Sequence, residues 1–115
     1  MDDLDYQLKL PNGIEAAIRF LIGNSREFGN NRHRALIARR LKHIELTAEQ
    51  SELAVDSILN KLQQGDIDEQ FIDQLRLCHH LNRDKTRAVA SSLLETEKEY
   101  IRRYAQRVLR IDQLQ

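Results

Sequence analysis

The chain has 115 residues, of which 41% are hydrophobic and 31% charged, and its formal net charge is zero. This length predicts a single domain, and the apolar content is too high for a disordered chain. The zero net charge argues against attraction of partners by overall charge. With one Pro and four Gly, the composition favours helices over strands.

The first residues and the lengths of the apolar runs predict the cellular location of the protein. The acidic start, Met1-Asp2-Asp3, is unlike a signal peptide, and the apolar runs are only a few residues long. The single Cys78 cannot form an intramolecular disulfide. We therefore expect a cytoplasmic protein with no membrane partner.

Charge is segregated along the chain. Residues 1–25 hold four acidic and two basic side chains, and residues 26–43 hold one and six. Residues 44–82 then hold eight acidic and two basic side chains, and residues 83–115 hold five and eight. Two basic segments thus flank an acidic one, which predicts local charged patches on a neutral protein.

The first residues alternate in hydrophobicity. Leu4, Tyr6, Leu8 and Leu10 are separated by single polar residues, a period of two. This predicts an extended N-terminal arm over residues 1–13, which lies on the helices or pairs across a dimer; a partly ordered tail is the alternative. The helical domain is predicted over residues 14–111, with a C-terminal tail at 112–115.

Six helices are predicted from apolar residues that recur at intervals of three and four. The first begins at Ile14 and the second runs from about Arg32 to His43. The predicted inner faces are Ile14, Ala17, Ile18 and Leu21; Ile37, Leu41 and Ile44; Val55, Ile58, Leu59 and Leu62; Phe71, Leu75, Cys78 and Leu81; Val89, Ala90, Leu93 and Leu94; and Ile101, Tyr104, Ala105 and Val108.

The helix ends carry capping signals. Thr47-Ala48-Glu49-Gln50 is a capping box for the third helix, which Gly65 would end. Asp66 or Asp68 can cap the fourth helix, and Asn82 or Asp84 the fifth. Thr96-Glu97-Lys98-Glu99 reads as a second capping box and predicts a break near Glu95. The last helix is expected to fray after Arg110.

Short connections between these helices favour antiparallel neighbours. The predicted fold class is therefore all-α: about six short antiparallel helices whose hairpins form either a compact bundle or a short right-handed α-solenoid.

Two segments share the pattern x-Arg-x-x-Ala-x-x-x-Leu, Thr86–Leu94 and Ile101–Leu109, and residues 33–41 fit it with Ile37 in the Ala place. This pattern resembles the helices of HEAT-type repeats, in which a small residue lets paired helices approach closely. The resemblance covers residues 30–111. It implies a protein-binding scaffold that buries no cofactor.

Basic residues are the main candidates for a binding site. They form one stripe on the second helix and another on the sixth, and if both stripes met on one side they could follow a phosphate backbone. The alternative is two solvated faces. The candidate residues are Arg32, Arg39, Arg40, Lys42, Arg102, Arg103, Arg107 and Arg110.

Two other clusters contain residue types that can bind metals or take part in catalysis. Asp66, Asp68, Glu69 and Asp73 do not fit a calcium loop, and acidic residues at a helix start are explained by the helix dipole. Cys78-His79-His80 cannot close on one ion, because adjacent helical side chains point about 100° apart. We therefore expect no metal, no cofactor and no catalytic residue.

The sequence favours a small helical interaction protein, an adaptor, regulator or subunit that binds another protein without catalysis. A nucleic-acid-associated protein that uses the two arginine stripes is the alternative. A third hypothesis is a symmetric homodimer, in which the basic and acidic segments of the two copies complement each other.

Overall fold

The structure, a computed structural model, describes residues 6–23, 30–67 and 70–111. Every regular element in these ranges is helical, which confirms the all-α prediction. The helices are α1 (Pro11–Ile22), α2 (Asn30–Leu41), α3 (Ala48–Gln64), α4 (Phe71–Leu81), α5 (Arg83–Ser92) and α6 (Glu99–Leu109).

The predicted extended arm is wrong for the part of it that the structure describes. Tyr6 and Gln7 have helical backbone, residues 8–10 form a turn, and α1 already begins at Pro11. Proline is favoured in the first turn of a helix because its missing N–H would have no partner there. The turn returns onto α1 so closely that a Cβ on Gly13 would overlap the Gln7 carbonyl.

Both predicted ends of α3 are confirmed. The Thr47 hydroxyl accepts from the backbone N–H of Gln50 at 3.1 Å, and the Gln50 side chain accepts from the Thr47 N–H at 2.9 Å. At the other end Gly65 has φ 78°, the left-handed conformation that glycine adopts most easily. The longest helix is thus held at both termini by local sequence.

The other helix starts give a mixed outcome. Asn82 caps α5 by accepting from the Lys85 N–H, as predicted. The fourth helix instead follows Gln70, which makes no side-chain cap, and Asp68 lies outside the described residues. The break after α5 is confirmed, but the second capping box is wrong because α6 starts after Lys98, again without a side-chain cap.

The six helices of the described ranges pack in two layers. Within one layer α3 contacts both α1 and α5, and within the other α4 contacts both α2 and α6. The layers are joined by contacts within the successive pairs α1–α2, α3–α4 and α5–α6, and also between α4 and α5 and between α3 and α6. We call α1, α3 and α5 the odd layer, and α2, α4 and α6 the even layer.

The core lies between the layers and follows most of the predicted stripes. Every predicted inner residue of α3 is buried, and Phe71 is the largest side chain that is fully buried. One prediction on α5 is wrong, because the helix ends at Ser92 and Leu94 is exposed. The half-buried predicted residues all pack against the core: Ile14, Ile44, Leu81, Val89, Leu93 and Tyr104. The other buried predicted residues are Ala17, Ile18, Leu21, Ile37, Leu41, Leu75, Cys78, Ala90, Ile101, Ala105 and Val108.

Side chains from two helices cap the C-terminus of α1. The Nζ of Lys61 donates to the Leu21 carbonyl at 2.7 Å, and the Nε of Arg34 donates to the Phe20 carbonyl at 3.1 Å. Both side chains are buried. The last carbonyls of a helix lack partners within it and carry partial negative charge, so buried cations are well matched to this end.

Candidate macromolecule-binding surface

The two layers differ in charge although the whole chain is neutral. The helices of the even layer contain eight Arg, no Lys and only two acidic residues. Those of the odd layer contain five basic and five acidic residues. The fold therefore gathers the arginine-rich segments of the chain in adjacent helices, with α4 between them.

On α2 the predicted stripe is partly exposed. Arg32 and Arg39 are exposed, whereas Arg40 and Lys42 are half-buried. The Nη1 of Arg39 lies 3.1 Å from a carboxylate oxygen of Asp73 on α4. An ion pair this exposed adds little stability, but it orients the guanidinium at the junction of the two helices.

On α6 three of the predicted arginines face solvent. Arg103, Arg107 and Arg110 are all exposed. Arg103 pairs with Glu99 one turn earlier at 2.9 Å. The guanidinium carbon of Arg107 lies 5.5 Å from the centre of the Tyr104 ring, which is within cation–π range.

Aromatic rings border this exposed face of α6. The Tyr104 ring meets Phe71 of α4 edge-on, with centroids 6.0 Å apart. Tyr100 is 46% exposed and lies against Gly65, at the end of α3. The arginines of α6 are thus flanked by one anchored and one open tyrosine.

Arg102, also predicted as a binding residue, is turned toward the protein. Its guanidinium donates to the Thr96 carbonyl at 2.9 Å and holds the α5–α6 connection. The other arginines of the shared sequence pattern behave alike: Arg34 donates to a carbonyl of α1, and Arg87 donates to the Leu109 carbonyl at 3.3 Å. The pattern thus marks arginines that bind backbone carbonyls.

The fourth helix contributes an arginine that the sequence analysis did not single out. Arg76 is exposed, and His80, one turn later, is exposed as well. Arg76 was missed because α4 falls in the acidic segment of the chain, where a charge counted over the whole segment conceals a single exposed arginine. We call the exposed arginines of the even layer the arginine face: Arg32, Arg39, Arg76, Arg103, Arg107 and Arg110, the last directly after α6.

The structure separates the run Cys78-His79-His80. Cys78 is fully buried and its thiol donates to the Val55 carbonyl at 3.6 Å, His79 is buried, and His80 is exposed. Burial raises the pKa of Cys78 to about 12. The thiol is therefore protonated at neutral pH and is a poor nucleophile.

The predicted acidic cluster is described only in part. Asp66 follows the α3 cap, Asp73 pairs with Arg39, and residues 68 and 69 lie outside the described ranges. Among the residues that are described, no group of three or more His, Cys, Asp or Glu is placed to hold a metal ion.

A surface groove runs along the odd layer between α3 and α5. Its larger part, of about 640 Å³, is lined by Ile22, Leu53 and Val89 among others, and a smaller part of about 340 Å³ lies beyond the Asp56–Lys85 ion pair. Leu53 is 55% exposed. Both parts are open to solvent.

Comparisons of this chain with protein-family models, with curated proteins and with solved structures give no match. None of the helices in the described ranges is long and apolar enough to cross a membrane.

Proposed function

We propose that this protein is a small helical interaction protein, an adaptor, regulator or subunit, which binds an acidic surface of another protein through the arginine face. Its helical hairpins would act as a scaffold similar to a short HEAT-type array, and no catalytic step is involved. The observation that carries the proposal is the set of exposed arginines on one layer, five in its helices and Arg110 directly after α6.

The choice of arginine supports a protein partner. Arginine and tyrosine are enriched at the centres of protein interfaces, where lysine is depleted. The planar guanidinium can also bind a carboxylate through two hydrogen bonds. Arg107 stacked on Tyr104, with Tyr100 exposed nearby, gives α6 the composition of such a centre.

Nucleic acid is the second candidate. It is favoured by the position of α2 and α6 in one layer, since this is the arrangement in which two arginine stripes could follow phosphates. Two acidic residues within the arginine face, Asp73 and Glu99, disfavour it, because a phosphate backbone offers no cation to pair with them, whereas a protein surface can place a basic residue opposite each one.

An affinity pull-down from the native host, with and without nuclease, tests the proposal. The wild-type chain is compared with the double variant Arg103→Glu and Arg107→Glu. A stoichiometric protein partner that survives nuclease and is lost from the variant supports protein binding. Recovery that collapses on nuclease treatment would transfer the function to nucleic acid.

A further inference from the structure

The groove of the odd layer lies away from the arginine face and has its own chemistry. Along the outer side of α3, Glu49, Leu53 and Asp56 are exposed at intervals of four and three, followed by Asn60 and Gln63. This row is one continuous stripe on the helix surface. A single exposed leucine thus lies in an acidic and polar row.

The apolar part of the groove extends across three helices. Leu53 shares the larger cavity with Ile22 at the end of α1 and with Val89 of α5. Both of those side chains are half-buried. Ile22 and Val89 pack against the core with part of their side chains, and their remaining surface forms, with the exposed Leu53, an apolar strip on the outside of the protein.

The charge beside this strip is negative. Glu52 and Asp56 line the smaller part of the groove, and Glu49 is exposed one turn before Leu53. Lys85 forms an ion pair with Asp56 and neutralises one of these negative charges. Its pKa is raised, chiefly by the hydrogen bond to Asp56 and also by Glu52.

We propose that this groove is a second docking site, which takes an amphipathic helix of a partner protein. An apolar stripe at i, i+3 or i+4, and i+7 lies over Leu53 and Val89, and Lys or Arg side chains beside it meet Glu49 and Glu52. The α3 helix has 17 residues, so about 25 Å of helix surface is available for such a contact.

A second site of opposite charge on the other layer gives the protein a bridging role. One partner with an acidic surface would bind the even layer, and one with a basic amphipathic helix would bind the odd layer. The groove proposal does not rest on the arginine face, so either one can fail alone.

A phage-displayed library of helical peptides, randomised on the outer positions of a fixed helical scaffold, tests the groove. The library is selected on the wild-type chain, and enriched peptides are then measured against Leu53→Asp and Leu94→Asp. Both leucines are exposed, at 55% and 37%, but Leu94 lies in the turn after α5, outside the groove lining.

The expected result is a set of peptides with an apolar stripe flanked by Lys and Arg. Their affinity should fall at least tenfold with Leu53→Asp and stay within twofold with Leu94→Asp. The double variant Glu49→Lys and Glu52→Lys, which changes only exposed side chains, should weaken the same peptides without touching the apolar strip.

Other outcomes would overturn the proposal. They are the absence of enrichment, the enrichment of acidic peptides, and binding that is unchanged in Leu53→Asp. Light scattering measures the molecular mass of the chain alone. A dimer that Leu53→Asp converts to a monomer would show that a second copy of the chain fills the groove, which would also overturn the proposal.

Discussion

The two layers of this protein are built alike on their inner sides and differ on their outer sides. Each buries apolar side chains against the other, among them Leu62 of α3 and Leu75 of α4. Outside, the odd layer balances acidic and basic residues, whereas the even layer is dominated by arginine. Burial explains the inner residues of both layers, but not the exposed arginines of the even layer, to which we assign the proposed binding.

The largest expected loss of stability comes from placing a charge on the inner side of the odd layer. Val55 is 2% exposed and Leu53, on the same helix, is 55% exposed. Val55→Asp should lower the free energy of unfolding by roughly 3–5 kcal/mol, because an uncompensated charge is buried. Leu53→Asp, the matched control, should change it by less than about 1 kcal/mol.

Urea unfolding followed by circular dichroism measures both variants. Equal costs for Val55→Asp and Leu53→Asp would contradict the assignment of inner and outer sides of α3.

A smaller loss of stability is expected from a contact within the odd layer, at the C-terminal end of α1. Lys61→Met keeps most of the apolar stem of the side chain but removes the donor to the Leu21 carbonyl. A buried acceptor without its partner costs about 1–3 kcal/mol. Gln63→Met, an exposed change on the same helix, is the control, and urea unfolding of the two variants gives the difference. A Lys61→Met variant as stable as the control would show that this bond contributes nothing net.

The smallest loss of stability in this series is expected at Gly65, the C-cap of α3, which lies against Tyr100 of α6. Gly65→Ala should cost about 1–2 kcal/mol, because a Cβ at φ 78° is strained. The Cβ would also stand 2.5 Å from the Tyr100 hydroxyl. Thermal unfolding of Gly65→Ala alone and with Tyr100→Ala separates the two causes, since only the steric part disappears in the second background. A cost that vanishes entirely there would leave no role for backbone strain.

Local features of this fold could be predicted from the sequence. The Thr47–Gln50 box, the Gly65 cap and the α3 stripe depend on residues close together in the chain, and all three are confirmed. The alternation of apolar and polar residues at the N-terminus led to the wrong prediction of an extended arm, because four apolar residues at a period of two are too few to fix a conformation. Instead, Leu8 is buried within a turn that packs on α1.

The candidate surface could be predicted only in part. The sequence identified the arginines of α2 and α6, but not that α4 joins them in one layer, because those contacts connect residues far apart in the chain. Arg34 and Lys61 show the same limit: each is buried and bonded to a carbonyl of α1, 14 and 40 residues away. Charge counted by segment could not distinguish these buried cations from exposed Arg76.

The most direct test of the arginine face is the affinity of the captured partner for three forms of the chain. They are the wild type, the double variant Arg103→Glu and Arg107→Glu, and the control Lys9→Glu and Arg19→Glu, which makes the same change in net charge at exposed positions of the N-terminal turn and α1. Two central interface arginines at about 1–2 kcal/mol each predict a loss of roughly 100-fold for the first variant and at most a few-fold for the second. Equal weakening by both would mean that only bulk charge matters, and no weakening by the first would contradict the arginine face as the binding surface.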